Sequence, residues 1–301
     1  MFFSFLIASK NEEVDIKNVI NSCLNQTYKK YEIVVVDDST DSTKRIVKNY
    51  TNDNIKLVEG KNTGCCNARN LGIIKSTGDI IVFLTADTIL PKDFLEKILK
   101  HYEDGYDWVT VSSEILNQKY IFPRFIEAQH KYVESNIKNI YTTQGYSVTK
   151  KAALEVDMIS GGIYPFNFCR DWTLGEKLSK KKYKKIHDNN IFVFHNSPYK
   201  LSDYWNVRKT RGLMSAYQPY YFFNRSINYL LLKFTVKTVI SFLKIVLVAP
   251  LIFNLFKISK FSNKKIFNIF LFLPSYLIQE FAFRYGEFNG LLKIINKKKN
   301  D

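Results

Sequence analysis

The sequence predicts an α/β fold, a mostly parallel sheet flanked by helices, followed by a C-terminal helical segment that is both basic and apolar. Two observations carry the first part. Short β-rich runs alternate with amphipathic helical stretches from Phe2 to about Ser113, and polar turns rich in Asp follow the runs. Repeated strand–helix alternation implies crossovers that cover both faces of a parallel sheet. The third observation is a change of character after Trp205, where long apolar stretches carry scattered lysines.

The strand candidates, in order, are FSFLIA, EIVVVD, IKLVE, DIIVFLT and DWVTVSS, each bounded by turn residues. Between them, helical spacing appears at Val14, Ile16, Val19, Ile20 and Leu24, then over Arg45–Tyr50, Ala68–Lys75 and Phe94–His101. Pro91 marks a helix start, with Leu95, Ile98 and Leu99 on one face. The stretch from about Tyr120 to Val148 is less regular. A further helix is expected from Asp171, with Leu174 and Leu178 inward, and then a strand, NIFVFH. These readings divide the chain into a domain over 1–200 and a membrane-associated helical segment over 201–301. In sheets of this kind ligands bind beyond the carboxyl ends of the strands, so polar residues just after the apolar runs are the places to look.

The 301 residues carry 44 Lys and Arg against 28 Asp and Glu, a net charge of +16. With 46% hydrophobic and 15% aromatic residues the chain has ample material for a core, which excludes intrinsic disorder. The charge is uneven. Residues 1–200 hold 28 basic and 24 acidic side chains, and residues 201–301 hold 16 and 4. A basic segment interrupted by long apolar runs suits an anionic membrane surface and not a nucleic acid polymer. Four cysteines without a CxxC pair exclude a disulfide scaffold and a zinc ribbon, and a reducing compartment is the simplest reading. The apolar start MFFSFLIA is too short and lacks the basic flank of a signal peptide, so the first 200 residues are expected in the cytoplasm.

Four constellations can carry chemistry. VVVDDSTDST delivers Asp37 and Asp38 at a strand end, where a carboxylate accepts hydrogen bonds from a nucleobase N–H or a ribose hydroxyl; Asp38 and Asp41 would equally cap the following helix. In NTGCCNARNLG, Gly64 permits a tight turn and Arg69 either reaches a phosphate or lies in solvent; Cys65 and Cys66 read as small packing residues. GDIIVFLTADTILP presents Thr85 and Asp87, and Asp87 either binds a hard divalent cation or simply makes a turn. In FCRDWTLGEKL, Asp171 is a helix cap or a general base. His195, closing NIFVFH, is structural or completes a metal shell.

The order and spacing of these motifs resemble the family 2 glycosyltransferases, which have a GT-A nucleotide-diphospho-sugar transferase fold. The likeness runs from SKNEE through the three constellations above, GYSVTKKAALEV, Gly161-Gly162, RDWTLGEKL and His195, over roughly residues 1–200. It implies an inverting, metal-dependent enzyme that moves a sugar from a nucleotide-sugar donor to a hydroxyl acceptor, with Mn²⁺ or Mg²⁺ as cofactor. By that likeness Asp38 contacts the nucleobase, Arg69 lies near the nucleotide, Asp87 is the direct metal ligand of the DXD element and His195 helps hold the metal. Asp171 matches the base that deprotonates the acceptor. Two positions depart from the pattern: Thr85 replaces the first aspartate of DXD, and Arg170 replaces the glutamate before Asp171. FLTADTILP resembles the LTxDxxxP variant of rhamnosyltransferase-like members, which points to an active enzyme. The two departures also admit a non-catalytic nucleotide-sugar-binding or scaffold protein of a glycan assembly complex. A processive polysaccharide synthase is disfavoured, because QxxRW is missing.

YWNVRKTR places Arg208 and Arg211 where many family members carry a basic segment that closes over the donor; they would grip the donor diphosphate or a phosphate on a lipid-linked glycan acceptor, or form an exposed basic face. The charge-free stretches 245–256 and 266–279 beyond it are 12 and 14 residues, short of the roughly 20 a span requires. Lys233, Lys237 and Lys244 form one helical stripe, as on a helix lying in the interface. A two-span hairpin would put Lys257, Lys260, Lys264 and Lys265 outside, against the positive-inside rule. The expectation is therefore a peripheral or monotopic protein at the cytoplasmic face of the cell membrane, with the two-span hairpin as its alternative.

Overall fold

The computed structural model describes residues 1–136, 145–159, 171–263 and 267–300; the side chains at 171, 172, 222 and 298–300, with Cys169, Arg170, Gly161-Gly162, Lys264 and Lys265, lie outside the described residues. The chain divides into two compact units, Met1–Glu114 with Asn139–His195, and Ile115–Lys138 with Asn196–Asp301. The border falls at His195, close to the expected residue 200, and a segment from the middle of the chain joins the tail in the second unit.

The first unit runs β1 (Phe3–Ser9), α1 (Ile16–Leu24), β2 (Tyr31–Asp37), α2 (Thr43–Lys48), β3 (Ile55–Glu59), α3 (Cys65–Lys75), β4 (Ile80–Leu84), α4 (Phe94–Glu103) and β5 (Trp108–Ile115). After α5 (Ile121–Asn136), which belongs to the second unit, come β6 (Tyr146–Thr149), α6 (Lys150–Glu155), α7 (Asp171–Lys180) and β7 (Lys185–His195). The seven strands form one sheet in the order β3-β2-β1-β4-β6-β5-β7. β1 pairs in parallel with β2 and β4, and β2 with β3. β6 is antiparallel to both β4 and β5. The mostly parallel sheet implied by strand–helix alternation is thus present, with one short reversed strand inside it.

Alternation along each strand builds the two cores, because successive side chains point to opposite faces. Phe3, Phe5 and Ile7 of β1 join Ile33, Val35, Val82 and Leu84 under Ile16, Val19 and Ile20 of α1 and Phe94, Leu95 and Ile98 of α4. Leu6, Val34, Val36, Ile81 and Phe83 face the other way, against Cys66, Ala68 and Ile73 of α3 and Leu174 and Leu178 of α7. Burial on both faces is why the strands read as nearly continuous apolar runs. Cys66 packs as expected. Val14 does not belong to α1, which begins at Ile16; it is 80% exposed. Pro91 lies in the turn ahead of α4, where its carbonyl accepts the Phe94 N–H at 3.2 Å.

The second unit consists of α5 and the four helices of the tail: α8 (Leu201–Phe223), α9 (Ile227–Val246), α10 (Ala249–Ser259) and α11 (Phe267–Asn300). Its core gathers Phe125, Ile126 and Ala128 of α5 with Tyr204, Leu251, Leu255, Ile258, Ile269, Phe272 and Tyr276. Glu127 is buried, accepts the Ile115 N–H at 2.9 Å and meets Lys131 Nζ at 3.0 Å. α8 and α11 cross at glycines. A Cβ on Gly212 would stand 1.9 Å from the Phe283 carbonyl oxygen, and one on Gly286 1.9 Å from that of Lys209. Small residues let two backbones approach this closely. Among the described residues no single helix is long and apolar enough to cross a membrane; α9 and α10 pass that test only as a pair, bent by 89°.

The glycine crossing gives a direct test. Gly286→Ala or Gly212→Ala forces the two backbones apart and is expected to destabilise the protein by about 2 kcal/mol, the cost of overpacking a tight contact. Thermal unfolding of the two variants beside the parent measures it.

Candidate active site

Parallel register brings the carboxyl ends of the central strands to one edge. Ser9 of β1 pairs with Asp37 of β2, and Ile7 with Leu84 of β4, so the turns after all three strands open side by side. The two aspartates after β2 part company there. Asp37 accepts the hydroxyls of Ser9 at 2.7 Å and Ser39 at 2.6 Å, which ties β1 to the turn. Asp38 accepts the Asn62 N–H at 2.8 Å and lies over Gly60, where an added Cβ would stand 2.0 Å from its Oδ1. Asp38 is therefore held against the β3–α3 loop and does not cap α2. Asp41 bonds the start of that helix instead, accepting from the Thr43 N–H at 2.9 Å and hydroxyl at 2.6 Å.

α3 starts from Gly64 at φ 96°, the positive φ that the tight-turn reading requires. Arg69 on this helix is buried, 3% exposed, which rules out the solvated alternative. Asn70, which sequence reasoning passed over, makes a two-way clamp: its side chain donates to the Ile159 carbonyl at 2.9 Å and accepts the Ile159 N–H at 3.1 Å.

After β4, Thr85 donates its hydroxyl to Asp87 Oδ1 at 2.5 Å and lies 2.8 Å from the Thr88 hydroxyl. Since the Thr85 proton points at Asp87, Thr88 must be the donor in the second contact. The Asp87 turn is locked to the end of β7 by two backbone bonds, Ile89 N–H to the Phe194 carbonyl at 2.7 Å and Phe194 N–H to the Ile89 carbonyl at 2.9 Å. The next residue, His195, is buried and places Nδ1 3.7 Å from Asp87 Oδ2. Burial raises the Asp87 carboxyl; the neighbouring His195 and the Thr85 hydroxyl outweigh it and hold Asp87 below the ordinary aspartate value. Glu12, in the β1–α1 loop, moves the other way. Burial first, then the charges of Asp87, Asp15 and Asp41, push it up to about 7. SKNEE was read only as part of a motif. Glu12's place beside Asp87 depends on folding, and only its position after a strand could have signalled it.

The remaining expected residues belong to other elements. Arg208 and Arg211 are on α8 in the second unit. Arg208 is 6% exposed, stands over the Tyr204 ring at 5.1 Å and has no hydrogen-bond partner at Nε among the described residues. Desolvation and then the charge of Arg208 lower Arg211 to about 10, which leaves it cationic at neutral pH. Asp171 begins α7, and its side chain lies outside the described residues, as does Arg170.

The Glycosyl transferase family 2 model matches residues 4–157, just over half of the chain. The chain belongs to the family 2 glycosyltransferases. It is 31% identical over 206 residues to the UDP-Glc:alpha-D-GlcNAc-diphosphoundecaprenol beta-1,3-glucosyltransferase WfgD of Escherichia coli, across 66% of this chain and 77% of WfgD. It is 38% identical over 100 residues to an uncharacterized glycosyltransferase of Haemophilus influenzae, across 32% of this chain and 40% of that protein. Several curated relatives are thus matched over less than half of their length. The mannosyltransferase PcManGT of Pyrobaculum calidifontis, solved with GDP-Man and Mn²⁺, is 19% identical and superposes with a TM-score of 0.57 over 71% of this chain and 61% of its own. That likeness shows the GT-A fold.

Do the residues suit a divalent cation? Among the described residues no group of three His, Cys, Asp or Glu side chains can hold one. Asp87 and His195 nevertheless supply one ionised carboxylate and one imidazole, a donor pair that Mn²⁺ accepts. Cations bound with few protein ligands complete their shell from substrate phosphates and water. The pair fits that arrangement.

The acid cluster makes a pH-dependent prediction. The folded protein holds the Glu12 proton more tightly than the unfolded chain, so stability falls as pH rises from the ordinary glutamate value of 4.5 through about 7. Glu12→Gln removes that loss. Its stability advantage is expected to open across this window and to level off above it at on the order of 2 kcal/mol. Thermal melts in chelator over a pH series read the gap.

Proposed function

We propose that this family 2 glycosyltransferase is an inverting enzyme that moves a hexose or deoxyhexose from a nucleotide-sugar donor to a hydroxyl of a lipid-linked glycan or surface polysaccharide precursor, at the cytoplasmic face of the cell membrane. The observation that carries the reading is Asp87, kept ionised by Thr85 and His195 at the strand edge that Asp38 shares. Thr85 in place of an aspartate supports activity in the manner of the LTxDxxxP variant: its hydroxyl donates to Asp87, where a second carboxylate would repel it.

In this reading Asp38 accepts from the nucleobase or ribose, and Arg69 lies by the nucleotide. Asp87 and His195 hold Mn²⁺ or Mg²⁺, which when bound neutralises charge on the leaving diphosphate. Asp171 takes the proton of the acceptor hydroxyl; the freed oxygen forms the new bond to the anomeric carbon as the bond to the diphosphate breaks, and the nucleoside diphosphate leaves with the electron pair. Arg208 and Arg211 take a phosphate, from the donor or from a lipid diphosphate acceptor. WfgD, whose name gives a diphosphoundecaprenol acceptor, supports the lipid-linked choice. The +12 charge of residues 201–301 supports a peripheral or monotopic seat on anionic lipid.

A panel of nucleotide sugars, screened for thermal stabilisation with and without Mn²⁺, should identify the donor by mass action. With that donor, Asp87→Asn and Asp171→Asn are each expected to lower transfer by about 100-fold or more at unchanged melting temperature. Undiminished turnover in both variants overturns the mechanism. Donor binding by the parent without transfer or hydrolysis would identify a non-catalytic nucleotide-sugar-binding protein instead.

A further inference from the structure

α9 is turned inside out relative to a helix of a water-soluble protein. Of its 20 residues only Leu230 is buried. The face against α8 and α11 carries the polar groups. Lys233 donates to the Ser215 carbonyl at 3.1 Å, Ser241 donates to Glu280 at 2.8 Å, and Phe234 meets the Phe288 ring at 6.0 Å between centroids. Lys237 and Lys244 share the Lys233 stripe. On the opposite side stand Leu232, Val236, Val239, Phe242, Leu243 and Val246, between 46% and 66% exposed. The stripe expected to meet headgroups therefore borders the face packed on the protein, and the apolar side is the one left open.

The open side continues around the 89° elbow through Leu247 and Val248 to Phe253 and Phe256 of α10. There Lys257 lies over the Phe253 ring at 4.4 Å and Lys260 over Phe256 at 4.5 Å, cations folded back along apolar rings. Between residues 204 and 279 the sequence has no Asp or Glu. Contiguous apolar surface of this extent, flanked by cations and free of acids, matches hydrocarbon beneath an anionic headgroup layer.

We propose that the α9–α10 elbow is a wedge that enters one leaflet of the bilayer, with Phe242, Val246 and Leu247 at its deepest part. Length selects one leaflet. An 11-residue α10 is about 16 Å long, and with both arms of a right-angled elbow equally inclined the tip lies about 12 Å below Lys260 at the far end of α10, inside the roughly 15 Å of half a hydrocarbon core. This inference rests on the membrane seat proposed above and adds a hydrophobic contact to its electrostatic one.

Flotation of the full chain with phosphatidylcholine/phosphatidylglycerol vesicles separates the two. Insertion is expected to keep the parent bound at about 1 M NaCl, where the screening length is ~3 Å. Phe242→Glu with Leu247→Glu, both at exposed positions, is expected to weaken vesicle binding about tenfold or more at unchanged circular dichroism and unchanged donor-induced stabilisation. Binding that salt abolishes, and that the double variant retains at low salt, overturns the wedge and leaves the anionic seat standing. No flotation at any salt overturns both. If the parent then sediments as a dimer that the double variant breaks, a second copy covers the face.

Discussion

The candidate site depends on two backbone hydrogen bonds, those between Ile89 and Phe194. They fix the end of β7 against the turn that follows β4, and so deliver His195 to Asp87 although the two are far apart in the chain. Everything else at this edge follows from parallel register, which any sheet of this class would provide. The Ile89–Phe194 bridge is particular: without it, Asp87 loses its His195 neighbour, and only Thr85 is left to offset the burial of its carboxylate.

Much of this was legible in the sequence for physical reasons. Buried strands read as apolar runs, so six of the seven were visible, NIFVFH marking the end of β7, and the residues just after them had to crowd one edge. Asp38, Thr85 and Asp87 were singled out that way, and Arg69 from the glycine turn that starts α3. What remained hidden depends on contacts between distant segments. β6 has four residues, too few for an alternation to show. α5 carries Pro123 in its first turn, and its apolar residues answer to the second unit, not to a sheet. Glu12's displaced acidity comes first from burial and then from three aspartates, an environment that only folding assembles. Whether Asp38 capped a helix could not be decided until Gly60 was seen beneath its carboxylate.

The tail shows a different kind of blindness. Helical spacing revealed the stripe of Lys233, Lys237 and Lys244 correctly, but periodicity gives the angle between faces and not which of them points at the protein. Ordinary experience assigns the charged face to the outside. The hydrogen bond from Lys233 to Ser215 turns the edge of that stripe toward the protein and leaves the apolar side open. The break at Leu247–Val248 did have a signal, Ala249-Pro250, since proline is tolerated at the first helical positions and disfavours helical conformation in the residue before it.

The row of hydroxyls beside Asp87 has a direction. Each threonine has one proton; Thr88 gives its own to Thr85, and Thr85 gives its own to the carboxylate. Ser9 and Ser39 are likewise committed to Asp37. These hydroxyls thus have no proton left to donate and can only accept. A visitor that brings only lone pairs, such as a bare phosphate oxygen, meets no complement on these groups, whereas sugar hydroxyls, base N–H groups and cations do. Selectivity at this edge is in that sense written in the orientation of four protons.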